Sequence, residues 1–396
     1  MMAAGRAGER GREVLLLEKN KTLGKKLLIT GGGRSNITNN KTEIRTMLAK
    51  YKGNDQFLFS AFSQFSVKDT LEFFNKRGMP TKEENEGRVF PTSNKAQSVF
   101  DVLVDYMKEE KVVVQTGSPV SGISKNKEGY FSIKIKDREE VLAKSVILAT
   151  GGTSRPETGS TGEGFEWLKK LGHTVVDNDV ALVPVALKDV WAKKLGGVTL
   201  SDTKLTTYQN GEKQEVHKGK LLFTHFGISG PTVLNMSRHI GELLQYGEVE
   251  ILLDLFPKLD PGALKQNLQT LLTEESNKKL KNTLGKLIPK ALVPTVLELR
   301  GIDGETACHS VRSEDRIRVV TLLKAIPLSV KGLLGKDKAV VSSGGVALPE
   351  VDFKTMQSRL LTNLYLVGDV LNIDRPSGGY SLQLCWTTGY VAGDHC

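Results

Sequence analysis

The sequence predicts an α/β fold, a doubly wound and largely parallel sheet interrupted by a β-rich and helical insert. Three observations carry this expectation. Three short apolar runs each end at a polar or glycine turn: Val14-Leu15-Leu16-Leu17 before Glu18, Val146-Ile147-Leu148-Ala149 before Thr150-Gly151-Gly152, and Leu364-Tyr365-Leu366-Val367 before Gly368-Asp369. Continuous runs of this length fit strands buried on both faces, as parallel strands are. A turn and a helix-compatible stretch follow each run, and that alternation winds helices over both faces of a sheet. From about Val183 to Phe256 the pattern changes to short alternating stretches, such as Thr203 to Tyr208 before an Asn210-Gly211 turn, which reads as hairpins.

Taken in order, Ala3 to Arg10 reads as a helix whose small residues pack closely on the sheet, with Gly11 ending it. Val112 to Val114, Val120 to Ile123 and Tyr130 to Ile135 look like a small antiparallel excursion. Asp260-Pro261 supplies an N-cap and a first-turn proline, and Leu264, Leu268, Leu271 and Leu272 form an apolar stripe, so the chain turns helical there. Lys278, Lys279, Lys281, Lys286 and Lys290 make this lobe basic. The sheet pattern returns at Ala339-Val340-Val341. The expected organisation is a discontinuous domain, residues 1–182 and 331–396, around an insert of residues 183–330 that is β-rich to about residue 258 and helical beyond.

At 396 residues the chain can hold two or three domains. Its 39% hydrophobic and 25% charged residues fit a globular protein rather than a disordered one. No apolar run approaches the roughly 20 residues that cross a bilayer, and Met1 to Arg12 lacks the apolar stretch of a secretion signal. Cys308, Cys385 and Cys396 are too scattered for a disulfide framework or a zinc site, so no metal is expected and a cytoplasmic location is. With 55 basic against 45 acidic residues the net charge is +10, which favours polyanionic partners at long range.

Glu18 ends the first run, where an acid can accept hydrogen bonds from an adenosine ribose. No G-x-G-x-x-G precedes it, so the residues before it decide little about this reading. The stretch from Leu23 to Asn39 is the most specific in the chain. Its Gly31-Gly32-Gly33 lets backbone N–H groups approach a phosphate or a flat ring without Cβ obstruction. Lys25, Lys26 and Arg34 add charge for a pyrophosphate, and Asn36 adds side-chain hydrogen bonds. Near the other end, Asp369 closes a strand and Gly378-Gly379 opens a helix, whose N-terminal partial positive charge favours negative charge on a ring set before it.

With these residues in view, the chain resembles the BaiN/RdsA family, also called YhiN-like flavoproteins, whose signature runs GGGRxNxTN. Further matches follow in order: Gly87 to Pro91 with Ser93 and Lys95-Ala96, Ala149 to Gly152, and Gly159 to Gly164 ahead of Leu171 to Thr174. Then come Leu221 to Pro231, Ser343 to Val346, and Gly368-Asp369 through Gly378 to Gln383. The resemblance covers essentially the whole chain and implies a Rossmann-like FAD-binding domain. It places cofactor contacts at Glu18, Lys19, Gly24, Lys25, Lys26, Gly31, Gly32, Gly33, Arg34, Ser35, Asn36, Val120, Thr150, Gly151 and Gly152. Others fall at Gly368, Asp369, Gly378, Gly379, Tyr380, Leu382 and Gln383. Three positions depart from the pattern: Ser35 where Cys is common, Asp369 where Glu is usual, and Arg375 where Gly is common.

The resemblance further implies FAD reduced by NAD(P)H, then hydride delivery from flavin N5 to a C=C bond conjugated with a carbonyl. Branches of the family act on steroid enones or on a uridine of large-subunit ribosomal RNA. Charge develops on the carbonyl oxygen, so the reaction needs a donor there and an acid for the α-carbon. His225, Arg88 and Tyr380 are the candidates, with Arg34 as a further cation. An rRNA uridine is the preferred substrate, gripped by the basic lobe through its phosphates. The alternatives are a small-molecule enone reductase or amine-type oxidase, whose insert roofs the flavin, and an inactive fragment lacking its first strand and glycine turn.

Overall fold

The computed structural model describes residues 1–51, 53–176, 182–334 and 344–396, so Ala339-Val340-Val341 and Ser343 lie outside the described residues. The chain divides into two compact units, Met1–Ala181 with Lys336–Cys396, and Leu182–Gly335.

In the first unit the apolar runs become strands in two parallel pairs. Leu15–Leu17 pairs with Val113–Gln115, and Val146–Leu148 pairs with Leu364–Leu366. The connection into Val113 comes off the helix Ala96–Glu109, and a helical crossover returns the chain parallel. Val113 and Val114 therefore leave the antiparallel excursion predicted for them. That excursion consists of Val120–Lys125, Phe131–Ile135 and Val141–Ala143. Its first turn is set by Asn126, whose side chain accepts the Tyr130 amide at 2.8 Å. Phe131 and Ile133 belong to a core that also holds Leu148, Leu364 and Leu366, and Ile135 is buried as well.

The first helix, Met2–Glu9, packs on helices rather than on the sheet. A Cβ added at Gly5 would lie 2.4 Å from the Tyr106 ring, and one at Gly393 would lie 2.5 Å from the Ala3 carbonyl oxygen. Small residues thus let three helices, Met2–Glu9, Ala96–Glu109 and Tyr380–His395, approach closely. Arg6 adds a hydrogen bond from Nε to Asp394 at 2.8 Å.

A buried polar staple ties the segment after helix Glu163–Lys170 to the approach of the last strand. The His173 ring is fully buried, with Nδ1 2.8 Å from the Glu350 carboxylate and Nε2 2.9 Å from Ser358 Oγ. Ser358 Oγ also accepts the Leu360 and Leu361 amides at 3.1 and 2.9 Å. Burial alone would raise Glu350, but hydrogen bonds from Thr174 and His173 hold its carboxyl below the usual range.

In the second unit six antiparallel strands close into a barrel. Around it run Val185–Leu187, Gly227–Ser229, Glu212–Thr224, Thr199–Gln209, Val249–Asp254 and Ile326–Leu333. Asn210 and Gly211 take φ of +50° and +82°, the left-handed pair that a two-residue hairpin turn requires. The helix Pro261–Glu274 starts where its cap predicts, with Asp260 Oδ1 accepting the Ala263 amide at 2.8 Å. Its Leu264, Leu268 and Leu272 are buried. Two features differ from the successive β-rich and helical blocks expected: helix Pro231–Leu243 interrupts the strands, and the closing strand Ile326–Leu333 comes after the helical lobe. Closure leaves no open edge within the sheet, so both parts share one core. Among the described residues no helix is long and apolar enough to cross a membrane.

Candidate active site

The site predicted from the motifs lies mostly in the first unit, where turns at strand ends meet. Glu18 follows the strand Leu15–Leu17, and its carbonyl accepts the Ser118 amide at 2.9 Å while that of Asn20 accepts the Gly117 amide at 2.8 Å. These two bonds bring the turn before Val120 against Glu18 and Lys19. The Glu18 carboxylate closes its own turn, Oε1 accepting both the amide and Nδ2 of Asn20 at 2.8 Å. Asn20 Nδ2 also reaches the Thr158 carbonyl at 3.0 Å. Lys19 donates to Thr161 at 2.7 Å and to Glu163 at 2.8 Å, so its charge is partnered within the protein.

Lys26 is different. Its Nζ meets the Ser154 carbonyl and hydroxyl at 3.0 and 2.9 Å and Ser160 Oγ at 3.0 Å, three oxygens that carry no formal charge. Thr150-Gly151-Gly152 lies in the same cluster. A Cβ at Gly151, φ +72°, would press on Ser160 Oγ at 2.9 Å, and one at Gly164 would overlap Thr150 Oγ1 at 2.1 Å. Gly24, φ +72°, opens the helix Lys25–Ile29 against the Phe100 ring, and Lys25 is exposed.

The triple-glycine turn adopts left-handed φ of +56°, +69° and +83°, and Ser35 continues at +58°. The amides of Gly33 and Ser35 both bond the Thr30 carbonyl, at 3.0 and 2.9 Å. A Cβ at Gly32 or Gly33 would meet nothing within 4 Å, so that face of the turn is open. Ser35 itself is buried, 3.3 Å from Thr30 Oγ1. Arg34 departs from its expected role: its guanidinium lies 4.1 Å over the Phe90 ring, pairs with Glu84 and takes Asn94 Oδ1 at 2.8 Å. An arginine so engaged braces the strands Thr81–Glu84 and Arg88–Pro91 instead of offering a free cation.

From this turn the chain runs onto the N-terminus of helix Tyr380–His395. The approach is so close that a Cβ at Gly379 would sit 2.3 Å from the Thr38 carbonyl carbon and oxygen. Asn39 Nδ2 donates to the carbonyls of Glu86 and Gly378 at 2.9 and 3.2 Å, and Tyr51 Oη donates to the Tyr380 carbonyl at 2.9 Å. Gln383 is buried within the protein, accepting from Thr38 at 2.6 Å and donating to Thr70 and Thr387 at 2.8 and 3.0 Å. Leu382 is half-buried in the same turn. The first amides of the helix have no partner inside it. Tyr380 is buried, and burial, with Glu86 adding to it, pushes its phenol up to about 12. Arg88 Nε bonds the Asn85 carbonyl at 3.0 Å and lies 3.7 Å from the Glu86 carboxylate. Tyr380 and Arg88 thus share the neighbourhood of Glu86, a residue that sequence reasoning missed. Its left-handed φ of +65° leaves no mark in sequence.

At the strand end, Gly368 donates its amide to Thr388 Oγ1 at 3.0 Å, and Asp369 pairs with Arg375. The acid expected to face sugar hydroxyls is therefore shared with a guanidinium. Beneath Gly368 lies Cys385, whose thiol is pushed up to about 12 by burial first and by Asp369 second, against the Arg375 and Lys26 charges.

His225 belongs to the second unit, exposed in the turn between Glu212–Thr224 and Gly227–Ser229, with its ring edge-on to Phe226 at 4.8 Å. The basic lobe of that unit is largely neutralised. Lys278 and Lys286 pair with Glu275, and Lys279 and Lys281 pair with Glu305, whose carboxyl their hydrogen bonds hold down to about 2. A groove of about 700 Å³ between Lys76–Pro80 and Asp101–Glu109 in the first unit holds none of the predicted residues.

Among the described residues, three buried polar atoms on the first unit's motif turns, Asn36 Oδ1, Asn39 Oδ1 and Thr150 Oγ1, have no hydrogen-bond partner, and neither does Thr224 Oγ1 in the second unit. Native proteins seldom leave such atoms unpaired, and the three in the first unit accompany an open glycine face, a cation held by neutral oxygens and a helix N-terminus. That donor and acceptor set fits FAD, with phosphates at one end and a hydrogen-bonding ring at the other. Parallel strand ends carrying these turns define an α/β enzyme of the dinucleotide-binding oxidoreductase class. The family model described as "HI0933-like protein Rossmann domain" matches residues 1–395, and the chain belongs to that family of FAD-dependent oxidoreductases.

The chain is similar to the 3-dehydro-bile acid delta(4,6)-reductase of Clostridium scindens, with 32% identity over 96% of this chain and 92% of that protein. It is also similar to the ribosomal RNA dihydrouridine synthase of Escherichia coli, with 30% identity over 99% of this chain and 94% of that protein. Among solved structures, the 3-ketosteroid delta1-dehydrogenase of Sterolibacterium denitrificans shares the fold at a TM-score of 0.54 and 13% identity, covering 100% of this chain and 96% of that one.

Proposed function

We propose that the chain binds FAD along the turns described and, with NAD(P)H as reductant, reduces a C=C bond conjugated with a carbonyl. The observation that carries this reading is the set of unpaired buried atoms, Asn36 Oδ1, Asn39 Oδ1 and Thr150 Oγ1, lying on the turns that the family motifs mark. The residues proposed to hold the adenosine are Glu18, through its uncapped oxygen, with Lys19 and the Val120 backbone. Lys26 and the Gly31 to Gly33 face would hold the pyrophosphate, with Gly24, Lys25, Ser35 and the Thr150 to Gly152 turn shaping its surroundings. Gly368 and Asp369 would face the sugar chain, and the Gly378 to Leu382 amides the ring. When bound, FAD would supply the hydride for the double bond.

This chain's own part is then to stabilise charge on the carbonyl oxygen and to deliver a proton. A phenol pushed up to about 12 remains a neutral O–H donor at physiological pH, which suits Tyr380 to that oxygen. Arg88 would add positive charge beside it; His225, a residue of the second unit, is proposed as a proton donor on its sequence motif alone.

The preferred substrate is a uridine of large-subunit rRNA, on the net charge of +10 and on the similarity to the E. coli synthase. The ion-paired lysines of the lobe favour a second reading, a small enone, in keeping with the similarity to the 3-dehydro-bile acid delta(4,6)-reductase of C. scindens. The test is to load the purified chain with FAD, supply NAD(P)H, and offer a large-subunit rRNA fragment or a 3-keto-Δ4 steroid. Dihydrouridine in the RNA supports the first reading and steroid reduction the second. Stoichiometric FAD with neither product would leave the proposed reaction without support, and failure to take up FAD would remove its basis.

A further inference from the structure

We propose that Asp369 and Arg375 form a charge-compensated pair that sets the reduction potential of FAD bound at this strand end, an inference that rests on the cofactor reading above. The guanidinium is fixed on three sides. Nη2 pairs with Asp369, Nη1 donates to the Ile373 carbonyl at 2.7 Å, and Nε donates to Ser381 Oγ at 3.1 Å. The Arg375 side chain is 1% exposed and that of Asp369 14%. A buried cation held by three acceptors cannot swing away, and removing it would strand the carboxylate without its partner.

The placement of the pair gives it reach. Asp369 sits in the turn Gly368–Val370 that closes the strand Leu364–Leu366, and Ser381 lies in the first turn of the helix Tyr380–His395. Both charges are therefore locked where strand end and helix N-terminus converge, beside the proposed ring site. Reduction adds negative charge to that ring. A lone carboxylate nearby opposes it, a lone guanidinium favours it, and together their fields largely cancel.

This predicts opposite signs for the loss of each partner, which a merely structural clamp does not. The experiment uses the full chain loaded with FAD, as wild type, Arg375→Met, Asp369→Asn, the double variant and Arg375→Lys. Two quantities are read: the midpoint potential against a reference dye, and the affinity for sulfite. Sulfite's sulfur lone pair bonds to N5 of the oxidised ring and pushes an electron pair toward N1 and the C2 carbonyl, so nearby positive charge strengthens its binding.

Arg375→Met is expected to bind sulfite about tenfold more weakly and to be reduced at lower potential, and Asp369→Asn to shift about tenfold the other way. The double variant should return to within about threefold of wild type, and Arg375→Lys should stay close to it. Should Arg375→Met fail to fold, Asp369→Asn against Asp369→Glu carries the sign test. Shifts of one sign in both single variants, or no shift with FAD bound, overturn the pair. A chain that takes up no FAD overturns the cofactor reading and this proposal with it, a failure visible before any potential is measured.

Discussion

Tyr380 shows how much a single side chain's role depends on surroundings that its neighbours in sequence do not reveal. Its place after Gly378-Gly379 marks it as a site residue, but its phenol is tuned by burial and by Glu86, and its carbonyl is held by Tyr51. If it donates to the substrate's carbonyl oxygen, Tyr380→Phe should lower kcat/KM by about 100-fold, within the range for losing one oxyanion donor, while FAD content stays unchanged. The sign of the pH dependence follows from the raised phenol. With the phenol raised to about 12 the donor form is nearly complete up to about pH 10, so this group should cause no loss of activity between pH 7 and 10. An ordinary phenol, titrating near 10, would begin to lose it there. Equal activity in Tyr380→Phe would remove the residue from the chemistry. Other residues were harder to read in advance. The charges of Lys25, Lys26 and Arg34 look alike in sequence, yet Arg34 is committed to Glu84 while Lys26 meets only uncharged oxygens. Glu84 and Arg34 lie 50 residues apart, and no local pattern encodes such a partner.

Among the elements, those fixed by short-range chemistry were legible. Apolar runs, the Asp260-Pro261 cap and the Asn210-Gly211 turn each carry their cause within a few residues. What was not legible depends on distant packing: the helix Pro231–Leu243 among strands, the barrel's closing strand, and Val113–Gln115 leaving its neighbours for Leu15–Leu17. The glycines of the helix Met2–Glu9 signalled close approach correctly but not against what, since a sheet and a helix ask alike for a missing side chain. The join at Gly379 is such an approach made against backbone. Its φ of +99° disfavours any side chain, and a methyl there would collide with Thr38 backbone, which cannot rotate aside as a side chain can. Gly379→Ala should therefore cost at least about 2 kcal/mol of stability, measured by urea unfolding, and should weaken FAD retention. A variant as stable as wild type would mean that this helix start is not held in the geometry described.

For the molecule as a whole, the choice between an RNA and a small enone turns on how much positive charge is free to meet phosphates. The net charge of +10 argues for RNA, but four lysines of the helical lobe are already held by Glu275 and Glu305. Each phosphate neutralised by a free cation releases counterions and steepens the fall of affinity with salt, whereas a lysine shared with a glutamate contributes less. If the lobe grips RNA, Glu305→Gln should free Lys279 and Lys281, tighten binding of an rRNA fragment at low salt and steepen its salt dependence by about one to two phosphate contacts. The substitution also removes the low-lying Glu305 carboxyl, whose charge at neutral pH is complete, so the gain should persist from pH 6 to 8. The KM for a neutral enone should not respond to salt or to this substitution. Binding of RNA that weakens with salt yet ignores Glu305→Gln would shift the contact elsewhere on the basic surface. RNA binding that is insensitive to salt would leave the charge surplus without a role in substrate choice and leave the small-molecule reading as the better account of the insert.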